Sequence, residues 1–154
     1  MEPSVPADRS ARPQSVLFLC GQNVVRSVMA AALARHLFGK SIYIASAGVI
    51  AGEADPFVAA AMDEIGLDVS RHRPRSLEEL EEYEGLSFDL AISLSPDAHH
   101  LALEATRTNA LTVEYWPTPD PTLETGNREQ RLAAYRQVRE DLEQRIRARF
   151  KPGR

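Results

Sequence analysis

The chain is nearly without cysteine. One residue, Cys20, stands among 154, which excludes an internal disulfide, a cysteine-rich zinc site and a two-cysteine redox relay. Two roles remain for its thiol, a small buried hydrophobe or a reactive group. Long apolar runs are missing too. The longest, Val28 to Ala34, closes at Arg35 and falls far short of the ~20 apolar residues a membrane span needs. The opening stretch, MEPSVPADRSARPQ, lacks the apolar middle of a signal peptide. With these absences the expectation is a soluble cytoplasmic protein without membrane association. Lysine is scarce, with sixteen of the eighteen basic residues being arginine, so no single arginine is informative by itself. A net charge of -4 and an isoelectric point near 5.6 argue against general nucleic-acid binding and leave room only for a local basic pocket.

What is present fits one folded domain. Hydrophobic residues make up 44% and charged residues 26%, a globular composition, and the length suffices for a core without staples. Residues 1–14 carry Pro3, Pro6 and Pro13 among small and charged side chains and read as a flexible tail, and residues 151–154 as a second tail. Between them, residues 15–150 alternate two patterns. Val16-Leu17-Phe18-Leu19 is apolar at every position, the mark of a strand buried on both faces. A helical stripe follows from Ser27 to Phe38, stopped by Gly39. Ile42 to Ala45 reads as a strand, and Asp55-Pro56 as the N-cap and first residue of a helix ending at Gly66. Ser76 and Glu79 stand in capping-box spacing at the head of an acidic helix reaching Glu84. Phe88 to Leu94 is a third strand, Ser95-Pro96 opens a helix to about Arg107, and Leu111 to Tyr115 is a fourth strand. Leu132, Tyr135, Val138, Leu142, Ile146 and Phe150 then line one face of a long helix from Asn127. Strands alternating with helices imply an α/β fold, a single doubly wound, three-layer domain with a four-stranded parallel sheet. Ligands of such folds sit at the carboxyl ends of the strands, where Cys20 falls.

The segment after the first strand reads Cys20-Gly21-Gln22-Asn23-Val24-Val25-Arg26-Ser27. A loop of this length entering a helix turns successive backbone N–H groups toward one centre, an anion nest. Arg26 adds a planar fork matched to two oxygens of a tetrahedral oxyanion. Such positive surroundings favour the thiolate, the nucleophilic form of Cys20. The C-x5-R spacing alone is weak in an arginine-rich chain, and a buried cysteine near an unrelated surface arginine is the competing account. A thiolate attacking a phosphoester needs an acid for the leaving oxygen. Asp120, in Trp116-Pro117-Thr118-Pro119-Asp120-Pro121, leaves the same sheet edge on a proline-stiffened arm, although it also suits a plain turn.

These residues carry a resemblance. VLFLCGQNVVRSVMAAAL, Ser46-Ala47-Gly48 and Asp120-Pro121 resemble the low-molecular-weight protein tyrosine phosphatase family, whose fold is shared by thioredoxin-coupled arsenate reductases. The resemblance runs from Ser15 to Phe150. It implies a phosphocysteine intermediate, no metal and no cofactor, with Cys20 as nucleophile, Arg26 as phosphate clamp and Asp120 as general acid. It also implies a supporting network of Asn23, Ser27, Ser46 and His72 around a phosphate loop that includes Gly21, Gln22, Val24 and Val25. Four departures stand out. Gln22 replaces a common glycine, Val25 a second cysteine found in many members, and Val28 the usual proline. Thr122 and Leu123 stand where phosphotyrosine-specific members carry aromatic residues.

Three functions follow as expectations. The first is a cysteine-dependent phosphatase acting on a phosphorylated protein or a small phosphoester. The second is an arsenate reductase, which with one cysteine needs an external thiol. The third is a non-catalytic module binding phosphate, sulfate or arsenate. His99-His100 has no evident third metal ligand, and adjacent helical residues point about 100° apart.

Overall fold

A computed structural model describes residues 12–151. The expected tails at 1–11 and 152–154 lie outside the described residues. The elements run β1 (Ser15–Cys20), α1 (Arg26–Phe38), β2 (Tyr43–Gly48), α2 (Pro56–Asp63), α3 (Leu77–Glu84), β3 (Leu90–Ser93), α4 (Pro96–Ala105), β4 (Thr112–Tyr115), a 3-10 turn (Pro121–Leu123) and α5 (Arg128–Phe150). The four strands form one parallel sheet in the order β2-β1-β3-β4. This is the expected α/β architecture. Strand order reverses at β1, so the connections on its two sides pass over opposite faces and open a crevice at its carboxyl end.

The alternation within β1 explains why its run from Val16 to Leu19 is apolar at every position. Val16, Phe18 and Cys20 join a core beneath α1 and α5, whereas Leu17 and Leu19 join a second core on the other sheet face, with Leu77, Leu80 and Ala98. Leu142, Ile146 and Phe150 of α5 are fully buried in the first of these. Caps set the helix starts. The Asp55 side chain accepts from the Phe57 N–H, Ser76 and Glu79 form the expected capping box, and Asn127 forms another with Gln130.

Boundaries differ from the sequence reading in instructive places. β2 begins at Tyr43 and continues through Gly48, past the expected end at Ala45, because Phe18, Leu19 and Cys20 pair with Ser46, Ala47 and Gly48. Pairing with a neighbour overrides the weak strand preference of these small residues. β3 is shorter than Phe88–Leu94 and α4 ends at Ala105, before Arg107. Residues 12–14 of the expected tail are bound to the fold: the Gln14 carbonyl accepts from the Tyr43 N–H at 2.9 Å, and the Gln14 N–H donates to Asp89 at 2.7 Å.

Candidate active site

Cys20 ends β1, and the chain needs only residues 21–25 to enter α1. The carbonyls of Cys20, Gly21 and Gln22 accept from the N–H groups of Val49, Ile50 and Gly52 at 2.9–3.1 Å. The Asn23 carbonyl is bonded to His72 Nε2 at 2.8 Å. In a trans peptide the next N–H lies antiparallel to each carbonyl. The amides of Gly21, Gln22, Asn23 and Val24 therefore turn away from these partners, as an anion nest requires. Gly48 permits the close approach, since a Cβ there would lie 2.7 Å from the Asn23 nitrogen and 2.8 Å from the Gln22 carbonyl carbon.

One residue of the loop has left-handed backbone, Asn23, with φ of 59°. Asparagine tolerates that region better than most side chains, and here its side chain is also the hub of the loop. Fully buried, it donates from Nδ2 to Ser27 Oγ at 2.8 Å and to Ser46 Oγ at 3.0 Å. Its Oδ1 accepts from the Arg75 backbone N–H at 3.1 Å. All of the amide's orientation is thereby determined. His72 must carry its proton on Nε2, since a carbonyl can only accept. Burial, opposed by that bond and helped by the charges of Arg35 and Arg75, holds His72 below the usual histidine range, favouring the neutral ring.

The sulfur sits at the end of this chain of bonds. Ser27 Oγ lies 3.0 Å from Cys20 Sγ, and the Ser27 N–H points to the same sulfur at 3.4 Å. Because Ser27 Oγ already accepts from Asn23, its own proton is free to go to the sulfur. The first turn of α1 thus offers two donors to Cys20, and the orientation of one is set from Ser46 and Arg75 through Asn23. Cys20 is 2% exposed, so it opens onto a cleft rather than onto the surface.

That cleft, of about 330 Å³, is lined by the loop residues Gly21, Gln22, Val24 and Val25, and also by Arg26, Asp120 and Thr122. Arg26 Nη1 donates to the Thr118 carbonyl at 3.0 Å, and its Nη2 lies 4.0 Å from Asp120 Oδ2. Asp120 Oδ1 accepts from the Thr122 N–H at 3.0 Å and from its hydroxyl at 2.7 Å. One carboxylate oxygen is thus tied down, and the other faces Arg26. Arg145 of α5 donates to the Pro117 carbonyl at 3.0 Å, tethering the arm from behind. Trp116 is a core anchor, packed edge-on against Phe18 with ring centroids 6.2 Å apart. Cys20, Gly21, Gln22, Val24, Val25, Arg26 and Asp120 line this cleft, and Asn23, Ser27, Ser46 and His72 form the network beneath it.

Two polar residues of the site, Asp97 and Arg75, were not foreseen, nor were the apolar lining residues Val49 and Ile50. Asp97, in the first turn of α4, lines the cleft. Its Oδ1 accepts from Ser95 Oγ at 2.5 Å and from the Ala98 N–H at 2.9 Å, while Oδ2 is turned toward Gly21. Arg75 supports Asn23 by its backbone and binds the Ser46 carbonyl through Nε at 3.1 Å. Gln22 packs over Gly52, where a Cβ would lie 2.5 Å from its Oε1, and so shapes the rim of the cleft. Leu123 is 76% exposed and forms no wall. His99 stacks on Tyr115 and bonds to Ser93 Oγ, a structural pairing, and no group of three or more potential metal ligands occurs among the described residues.

Residues 15–151 match the family model of the low molecular weight phosphotyrosine protein phosphatases. The chain belongs to this family. Among curated relatives, an arsenate reductase of Halalkalibacterium halodurans is 32% identical over 132 residues, spanning 85% of this chain and 91% of its own length. Among solved structures, an arsenate reductase in its phosphate-binding state superposes with a TM-score of 0.70 at 28% identity, covering 86% of this chain and 93% of the other. A YwlE arginine phosphatase mutant with a phosphorylated active site serine superposes at 0.69 with 25% identity, covering 87% and 91%. This low molecular weight phosphatase family member therefore has relatives named for two different reactions on a tetrahedral oxyanion.

Proposed function

We propose that the protein is a phosphomonoester hydrolase working through a phosphocysteine. The observation that carries this reading is the sulfur of Cys20, held by the Ser27 N–H and hydroxyl, in a cleft that also contains Arg26 and Asp120. The Cys20 thiolate attacks phosphorus as the bond to the leaving oxygen breaks, and protonated Asp120 gives its proton to that oxygen. Arg26 and the loop amides hold the three other oxygens, whose charge is greatest in the transition state. Asp120, now ionised, takes a proton from water as the water oxygen attacks phosphorus. The S–P bond breaks, and Cys20 leaves as a thiolate stabilised by the two Ser27 donors. The absence of an aromatic wall at Thr122 and Leu123 favours substrates other than phosphotyrosine.

Turnover of para-nitrophenyl phosphate, alkyl phosphates and phosphoarginine by the wild type, Cys20→Ser and Asp120→Asn tests this reading. Loss of all activity in Cys20→Ser is expected, and vigorous turnover by that variant refutes the mechanism.

A second reading is favoured by the relatives named arsenate reductases. Arsenate would esterify Cys20 with loss of water. An external thiol would then attack the sulfur, releasing arsenite as the S–As electron pair reduces As(V) to As(III), and a second external thiol would reduce the mixed disulfide. Both thiols must come from outside, since the chain has one cysteine. Thiol-dependent formation of arsenite is its test.

A further inference from the structure

A second cavity, of about 530 Å³, lies where Ser46, His72 and Arg75, the partners of Asn23, face away from the cleft. Its rim carries Arg35, Arg71, Arg73 and Arg75, and its acids are Asp68 and Glu79. Both acids are committed locally. Asp68 accepts from the Ser70 N–H, and Glu79 caps the Ser76 N–H. Arg75 is paired with Glu84 at 2.9 Å, and Arg35 donates to the Ile44 carbonyl. Arg73 makes no side-chain hydrogen bond or ion pair among the described residues, and Arg71 has only a longer-range attraction to Asp68. Arg75 and Arg35 also repel each other, and both oppose a charge on His72. The cavity thus gathers four arginines against its two lining acids and Glu84, and leaves Arg71 and Arg73 outside any ion pair among the described residues, in a chain whose net charge is negative. Beneath this rim the floor is apolar, made by Val28, Ala31, Ala32 and Val69, and at the mouth stands Tyr83, 85% exposed.

The geometry points to a second anion site, for a phosphorylated small molecule with a flat or apolar body. Its phosphate would be forked by Arg71 and Arg73, and its body would lie on the apolar floor against Tyr83. Because Asn23 connects this cavity to Ser27 and Cys20, an occupant tunes the phosphate loop without entering the cleft. That second clause rests on the proposed phosphatase reading, whereas the binding does not.

The test is calorimetric titration with benzylphosphonate, which a phosphatase cannot hydrolyse, and with inorganic phosphate. Wild type should bind two equivalents of benzylphosphonate. Arg71→Glu/Arg73→Glu, altering exposed residues outside the cleft, should bind one, lose at least about tenfold in affinity for the other, and keep its turnover in the absence of ligand. Arg26→Ala should also bind one, at the second cavity. Equal stoichiometry and affinity in wild type and the double variant overturn the site. Equal affinity of the cavity for phosphate and benzylphosphonate overturns the assigned ligand class. Two equivalents retained in Arg26→Ala, with one lost in the double variant, would uphold the cavity while refuting the proposed phosphate cleft. In kinetics, benzylphosphonate should add to competitive inhibition a partial, saturating effect on turnover that the double variant lacks. The same kinetics in both proteins overturn the coupling.

Discussion

Asn23 ties the loop to Ser27, Ser46 and Arg75, and its replacement separates two contributions. Asn23→Ala removes three hydrogen bonds made by a fully buried side chain, to Ser27, Ser46 and the Arg75 N–H. At ~1 kcal/mol each these amount to about 3 kcal/mol. Alanine keeps φ of 59° and with it the crowding of a Cβ against the following carbonyl that Asn23 already bears. The loss, roughly 3 kcal/mol, is a large share of the 5–15 kcal/mol by which domains are stable, and corresponds to a fall in melting temperature of roughly 10 °C. Asn23→Gly loses the same three bonds but accepts the left-handed backbone freely, so it should remain about 1 kcal/mol more stable than the alanine variant. Urea unfolding of the three proteins, followed by circular dichroism, measures both differences. In either variant the Ser27 hydroxyl is no longer directed at the sulfur, and kcat/KM should fall by about 10²-fold. Variants within 1 kcal/mol of wild type would refute the network as the fastener of the loop. A glycine variant no more stable than the alanine one would refute the backbone argument.

Asp120→Asn should lower kcat on an alkyl phosphate by about 10²–10⁴-fold and far less on para-nitrophenyl phosphate, whose leaving group needs little protonation; an equal loss on both would show that Asp120 does not act on the leaving oxygen. Gly48→Ala puts a methyl group 2.5–2.8 Å from backbone atoms of Ile50, Asn23 and Gln22, so the loop must shift, at a cost of about 1–3 kcal/mol, and KM should rise; unchanged KM and melting temperature would contradict the close approach. Arg136 and Arg139 hold the Glu64 carboxyl at about 2, below its ordinary 4.5. A carboxylate depressed in the folded state stabilises it above the unfolded value and ceases to do so as pH falls through the folded one. Glu64→Gln should therefore flatten the acid side of the stability curve between about pH 4.5 and 2, and an identical acid limb in both proteins would contradict the pairing.

The layers and the loop were legible because their signals are side-chain patterns. An apolar run, a helical stripe and the C-x5-R spacing each reflect what a side chain does, and β1, α1 and the cleft follow from them. Ser46 and Gly48 were harder to place, since their position in β2 is imposed by pairing with Phe18 and Cys20 and not by their own preference. Arg75 was invisible for a different reason. The atom that grips Asn23 is its backbone N–H, which any residue but proline would supply. Asp97 was hidden by its local fitness, because an acid in the first turn of a helix is favourable there without any further role. Its one available signal was position: it follows β3 by four residues, on the same sheet edge as Cys20 and Asp120.

The solitary cysteine acquires its meaning from its neighbours. Position 25, beside Arg26, is a buried valine, 5% exposed, packed in the core beneath α1. No second thiol is available to trap an oxidised Cys20 as a disulfide, so oxidation of the sulfur leads on toward irreversible acids unless an external thiol intervenes. The same absence decides how the two reactions differ. In the proposed mechanism hydrolysis needs only Cys20, Arg26 and Asp120 of the cleft, Ser27 beneath the sulfur, and water from solvent. Reduction of arsenate needs two further thiols, neither of which the chain can provide. With Cys20 as nucleophile, Arg26 as clamp and Asp120 as acid, as proposed above, the self-sufficient reaction is the transfer of a phosphoryl group to water.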